Sequence, residues 1–124
     1  MKKLICTFLT LFAAQGAHAE IYQGLYVPLG ANCGALSDNY FQIGDGWVGR
    51  HETYCQITGA TGVERMDAFL LDTTCSAEGE DMGAQRFFIA STSTMEGPGL
   101  TVYSAYEGYG AGNGSIYKFC PGVQ

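Results

Sequence analysis

Four cysteines, Cys33, Cys55, Cys75 and Cys120, divide the body of this chain into segments of β-forming residues and glycine-rich turns. A fifth, Cys6, lies in an N-terminal segment with the marks of an export signal. An even cysteine count in a small exported domain reads as two disulfides, because oxidising compartments form and keep them. Zinc is the competing use of cysteine. No C-x-x-C spacing occurs, and His51 is the one histidine beyond the N-terminal segment, so zinc-site grammar is missing. Two staples in so short a chain leave few folds open.

The export assignment rests on three adjoining features. Lys2 and Lys3 give a positive start, Leu4 to Ala14 is apolar, and Ala17-His18-Ala19 supplies a small-x-small cleavage site. The apolar run is too short to span a bilayer, which takes about 20 residues. Residues 1–19 are therefore expected to be a cleaved signal peptide and residues 20–124 a single domain, periplasmic or secreted. Beyond the signal, Arg50, Arg65, Arg86 and Lys118 stand against twelve Asp and Glu. That balance argues against nucleic acid and against anionic membrane, both of which require clustered Lys and Arg. It would attract a basic partner over about a Debye length. Solubility alone is the plainer reading of the same acidity.

Runs rich in Tyr, Phe, Val, Ile and Thr predict strands over 21–27, 40–43, 47–58, 67–76, 85–93, 100–106 and 115–120. The connections carry turn chemistry: Gly44-Asp45-Gly46, Glu78-Gly79-Glu80-Asp81, Glu96-Gly97-Pro98-Gly99 and a glycine-rich turn over 108–114. The segment 28–39 is irregular, with room for a helical turn. An all-β antiparallel meander of six to eight strands closing into a small barrel is the expected architecture, with a two-sheet sandwich as the alternative. Read as one strand from Trp47, one face carries Trp47, Gly49, His51, Thr53, Cys55 and Ile57. In the next strand Phe69, Leu71, Thr73 and Cys75 share a face. A hairpin placing Cys55 opposite Cys75 also places Ile57 opposite Thr73, and both cysteines then have apolar neighbours. This register favours Cys55–Cys75 and, by remainder, Cys33–Cys120, among the three pairings that four cysteines allow. Closing the longer loop would contribute roughly 4 kcal/mol on the chain-entropy argument.

The stretch His51-Glu52-Thr53-Tyr54-Cys55 resembles the helical zinc-peptidase motif at first sight. On a strand, however, His51 and Cys55 lie about 13 Å apart at roughly 3.3 Å per residue, too far to share one ion. No metal and no cofactor is expected. Glu78, Glu80 and Asp81 lack the loop spacing of a dedicated calcium site and read as a solvated hairpin tip. A serine hydrolase needs a base and a nucleophile elbow; His51 is alone, and Gly112-Asn113-Gly114-Ser115 lacks the following glycine. Pairing consumes the thiols. What remains is an aromatic inventory of eight tyrosines and Trp47. Tyr103, Tyr106, Tyr109 and Tyr117 flank the glycine-rich turn. With Ser115, Trp47 and His51 they form the candidate binding set, since tyrosine offers rigid contact area at low entropic cost. The bland reading is that most of these rings line the margins of the core.

The order of Cys33, Glu52-Thr53-Tyr54-Cys55-Gln56-Ile57, Cys75-Ser76-Ala77-Glu78-Gly79-Glu80 and Tyr117-Lys118-Phe119-Cys120-Pro121 resembles small exported four-cysteine bacterial β-proteins. That resemblance covers most of the exported chain and implies a frame but no reaction. In architecture alone the chain also resembles the periplasmic inhibitors of C-type lysozyme, small β-barrels with a Ser-Gly-x-x-Tyr loop. Here Gly114-Ser115-Ile116-Tyr117 stands in reordered form, so that loop's role is not carried over. The expectation is a monomeric, non-enzymatic protein that binds a protein or glycan at the cell envelope. The alternative is a small hydrolase using His51 with a nearby carboxylate.

Overall fold

The computed structural model describes residues 22–35, 38–106 and 110–122. Eight antiparallel strands follow one another as neighbours: β1 (Gly24–Pro28), β2 (Phe41–Gly44), β3 (Trp47–Arg50), β4 (Thr53–Gly62), β5 (Ala68–Ala77), β6 (Glu80–Thr94), β7 (Gly97–Tyr106) and β8 (Gly110–Cys120). The last returns to the first, with Leu25 opposite Cys120 and Val27 opposite Lys118, so the sheet closes into a barrel. Closure rules out the two-sheet alternative and leaves no free strand edge among the described strands. The described residues contain no helix long and apolar enough to cross a membrane. The expected signal peptide, residues 1–19, lies outside the described residues.

Period-two alternation fills the interior. Phe41, Ile43, Val48, Leu71, Phe87, Ile89, Leu100 and Val102 are all but inaccessible, and they pack with Tyr26, Tyr117 and the Cys55–Cys75 pair. Phe41 and Phe87 meet at 5.8 Å between ring centroids, and Phe41 and Tyr117 at 5.9 Å. A barrel of eight strands has room for little more than its own side chains, which these rings supply. A second, smaller apolar patch lies outside β1. There Leu25, Val27 and Cys120 are covered by the β1–β2 connection through Ala31, Cys33 and Tyr40. The Cys33–Cys120 disulfide pins that connection across the β1–β8 seam. The second disulfide, Cys55–Cys75, joins directly opposed residues of β4 and β5, with Ile57 opposite Thr73. Cys55–Cys75 follows the expected register, and Cys33–Cys120 is the pairing expected by remainder.

One expected strand is divided. The run 47–58 is a hairpin, not a single strand: β3 ends at Arg50, His51 and Glu52 form the turn, and β4 begins at Thr53. Glu52 takes a left-handed φ of 57°, a conformation usually left to glycine or asparagine, so the turn carries no sequence mark. The correction reverses part of the face assignment. Trp47 sits opposite Gln56 and Val48 opposite Cys55, so Val48, Thr53, Cys55 and Ile57 share the inner side while Trp47 and Gly49 face outward. By contrast, Glu78 and Gly79 form a two-residue turn with φ of 51° and 82°, the left-handed pair that suits strand twist. The expected glycine-rich turn over 108–114 is shorter than anticipated, because β8 starts at Gly110, paired with Tyr106.

Candidate functional site

The inner positions of five strands change from apolar to polar at the same level of the barrel. Moving toward one end, Val48 gives way to Arg50 in β3, Cys55 to Thr53 in β4, and Phe87 to Gln85 in β6. Likewise Val102 gives way to Ser104 in β7 and Tyr117 to Ser115 in β8. These polar residues line an open mouth of about 370 Å³, with Tyr117 among its lining and Asp38, Tyr40 and His51 also contributing. The guanidinium of Arg50 lies 5.5 Å from the ring centre of Phe87 and 5.7 Å from that of Phe41, so it rests on the floor of the apolar core. Tyr40 donates its hydroxyl to the Arg50 carbonyl at 3.4 Å, tying the β1–β2 connection to the rim.

Gln85 is buried among these groups. Its Oε1 is 3.3 Å from Cys75 Sγ, but a disulfide sulfur carries no proton and cannot donate to it. Its Nε2 is buried with no hydrogen-bond partner among the described residues. Among the described residues the carboxamide is therefore unsatisfied at both ends, an expensive state for a buried polar group and a rare one.

His51 stands on the rim, in the β3–β4 turn. Its Nδ1 is 3.5 Å from Asp38 Oδ1 and its Nε2 3.4 Å from Glu52 Oε1, with the ring about half exposed. Around the outside of the same hairpin lies an aromatic wall. The Trp47 indole lies against the strand surface over Gly44 and Gly49; a Cβ at Gly49 would come within 2.9 Å of it, and one at Gly44 would overlap it. Tyr54 lies beside it at 5.7 Å with planes 30° apart. A shallow depression of about 400 Å³ runs along this wall and shares Tyr40, Arg50 and Thr53 with the mouth.

The candidate residues thus fall into separate places. His51, Ser115 and Tyr117 meet at the mouth, and Trp47 adjoins it on the outer wall. Ser115 and Tyr117 belong to β8, paired with Val102 and Leu100, and are not part of a protruding loop. Tyr103 lies exposed on the outer face of β7, over Gly114 and 6.1 Å from Phe88, and is not among the mouth residues. Tyr109 and the side chain of Tyr106 lie outside the described residues. Sequence reasoning missed Arg50, Gln85 and Tyr54; the hairpin parity would have turned Arg50 inward, but its turn was unmarked.

The opposite end of the barrel is lined by aromatics. Tyr22 packs edge-on against Phe69 at 5.8 Å, and Tyr26 against Phe119 at 5.4 Å. Tyr26 donates its hydroxyl to the Tyr22 carbonyl at 2.7 Å, and burial pushes its pKa up to about 12. Tyr22 is raised further still, first by burial and then by the hydrogen bond it donates to Asp67.

Fold and site together define an eight-stranded up-and-down β-barrel, stapled twice, with a polar mouth built around one arginine. Among known proteins, no family model matches the chain, and neither a curated protein nor a solved structure matches it.

Proposed function

We infer that this is a non-enzymatic periplasmic or secreted binding protein that engages a protein or glycan of the cell envelope through the mouth end of its barrel. The observation that carries this reading is the continuity of the polar mouth with the Trp47–Tyr54 wall through Tyr40, Arg50 and Thr53. A concave polar site beside a flat aromatic surface suits a ligand with hydroxyl or amide edges and an apolar face. The two disulfides fit an oxidising compartment. The protein is proposed to act as a monomer. Retention on isolated cell-wall sacculi and envelope protein fractions tests the reading, with Trp47→Ala and Tyr54→Ala as probes. Loss of retention in both variants, with folding intact, is expected; wild-type retention no better than that of the variants would end it.

Inhibition of a basic C-type lysozyme is the sharpest form of this proposal, supported by the barrel architecture and by the acidic rim residues Asp38 and Glu52. The contact would be made by the rim, since Ser115 and Tyr117 are in a strand. An unchanged lysis rate at large molar excess of the protein removes that form.

One observation favours the hydrolase alternative: the imidazole of His51 lies between two carboxylates. Both ring nitrogens are engaged there, however, and no hydroxyl among the described residues hydrogen-bonds to them, which leaves the pairing without a nucleophile. Hydrolysis abolished by His51→Ala would restore that alternative.

A further inference from the structure

We propose that the barrel mouth is a receptor for a carboxylate, held by the guanidinium of Arg50. The inference rests on the mouth being the ligand-binding end and adds the chemistry of what enters it.

Charge pairing in this acidic chain gives the first argument. Arg86 binds Asp72 at 2.7 Å, and Lys118 binds Glu96 at 3.0 Å, both on the outside of the barrel. Arg50 is the basic residue turned inward, and among the described residues no carboxylate lies within ion-pair distance of it. With acids outnumbering bases two to one, a partly buried arginine left without an acid is unexpected. Among the described residues Asp38 is the one acid lining the mouth; it faces His51 and is 87% exposed.

Geometry gives the second. Phe41 and Phe87 take the guanidinium's charge through their ring systems, and no hydrogen bond from its five N–H groups is found among the described residues. An arginine fixed on aromatic rings is a preorganised fork for two carboxylate oxygens. Around it, Thr53, Ser104 and Ser115 supply hydroxyls that can donate to the same anion. The third argument is independent of Arg50. The Gln85 carboxamide lines the same cavity, is 95% buried and has no partner for its Nε2 among the described residues, so a group entering the mouth can meet its unused hydrogen-bonding capacity.

The carboxylate can come from a peptide C-terminus or from a sugar acid; both present the same two oxygens to the fork. Titration calorimetry on the purified protein separates them, using N-acetyl-dialanine against its C-terminal amide, and glucuronate against glucose. We expect at least one carboxylate probe to bind ten-fold or more tightly than its neutral counterpart, and that preference to vanish in Arg50→Met. Arg50→Lys, which keeps the charge without the fork, should retain part of it, and Ser115→Ala should weaken binding about three-fold. The member of the two pairs that shows the preference identifies the source. Equal binding of acid and neutral probes, no binding of either acid, or an Arg50→Met protein that binds unchanged would overturn the proposal. Retention of Arg50→Met on envelope fractions alongside lost carboxylate preference would confine Arg50 to this role and leave the Trp47–Tyr54 reading standing.

Discussion

Replacing Arg50 by methionine should make the protein more stable while removing its proposed ligand. The guanidinium lies 5.5 Å and 5.7 Å from two core rings, and for a partly exposed cation such contacts contribute about 0.5–1 kcal/mol each. Against this stands the removal of an ionic group from water with no counter-charge, an effective cost of several kcal/mol when burial is complete and less here, where the residue is partly exposed. Methionine keeps an unbranched stem over the same rings, and its sulfur recovers roughly 0.3–1.5 kcal/mol of aromatic contact. The balance favours Arg50→Met by about 1 kcal/mol, or some 4–8 °C in Tm for a domain near 100 residues. Thermal unfolding followed by circular dichroism at neutral pH reads this directly. Adding a carboxylate ligand at 100 times its Kd should then raise wild-type stability by about 2.7 kcal/mol and leave the variant unmoved. A fall of 5 °C or more in Arg50→Met would show that the guanidinium holds the fold together, and the reasoning that reserves it for a ligand would fail.

At Gly99, a Cβ would overlap the Tyr117 carbonyl oxygen of the neighbouring strand, so Gly99→Ala should cost about 3 kcal/mol or more in urea unfolding, while Gly34→Ala, where the added carbon meets only Asn32 Oδ1 at 3.5 Å, should change little. Opening Cys33–Cys120, with a sequence separation of 87, should lower stability by about 4–5 kcal/mol, against about 3 kcal/mol from chain entropy for Cys55–Cys75, with a separation of 20; denaturation of the paired serine and alanine variants compares them. Tyr26 ionises at about 12 in the folded chain against 10.0 for the free group, so the folded state holds this proton more tightly. The stability it contributes is complete below pH 10 and is lost as the pH rises toward 12; a Tm that stayed flat across that window would contradict the assignment. Glu96 has the opposite sign, held below the ordinary carboxylate range by the Lys118 hydrogen bond and then by the Gly30 amide, so its contribution fades as acid protonates it, and Glu96→Gln should flatten the acid limb of the stability curve.

The barrel was legible in the sequence because its signals are local: alternation sets the inner faces, and glycine-rich turns separate most strands. The Cys55–Cys75 register was legible for the same reason, since one hairpin alignment served both the cysteines and Ile57. The site was legible only in part. His51-Glu52 forms a turn without glycine, asparagine or proline, and missing it placed Trp47 on the inner side and hid the inward position of Arg50. Gln85 could not be recognised in advance, because the mouth is assembled from five strands and its lack of partners is a property of the closed barrel. The tyrosines misled in a different way: Tyr103 and Tyr117 lie near one another in sequence-paired strands but on opposite sides of the wall.

The seam between β1 and β8 has a consequence for how the molecule forms. Its two sides come from opposite ends of the described chain, so closure awaits the last strand and the largest loss of loop entropy. The β4–β5 hairpin needs no such wait; its cysteines face each other across a short connection and can oxidise while the rest of the chain is still open. Refolding intermediates trapped with a thiol-blocking reagent should therefore carry Cys55–Cys75 closed and Cys33 and Cys120 free. The first bond makes a hairpin permanent, and the second locks a barrel that has already found its shape.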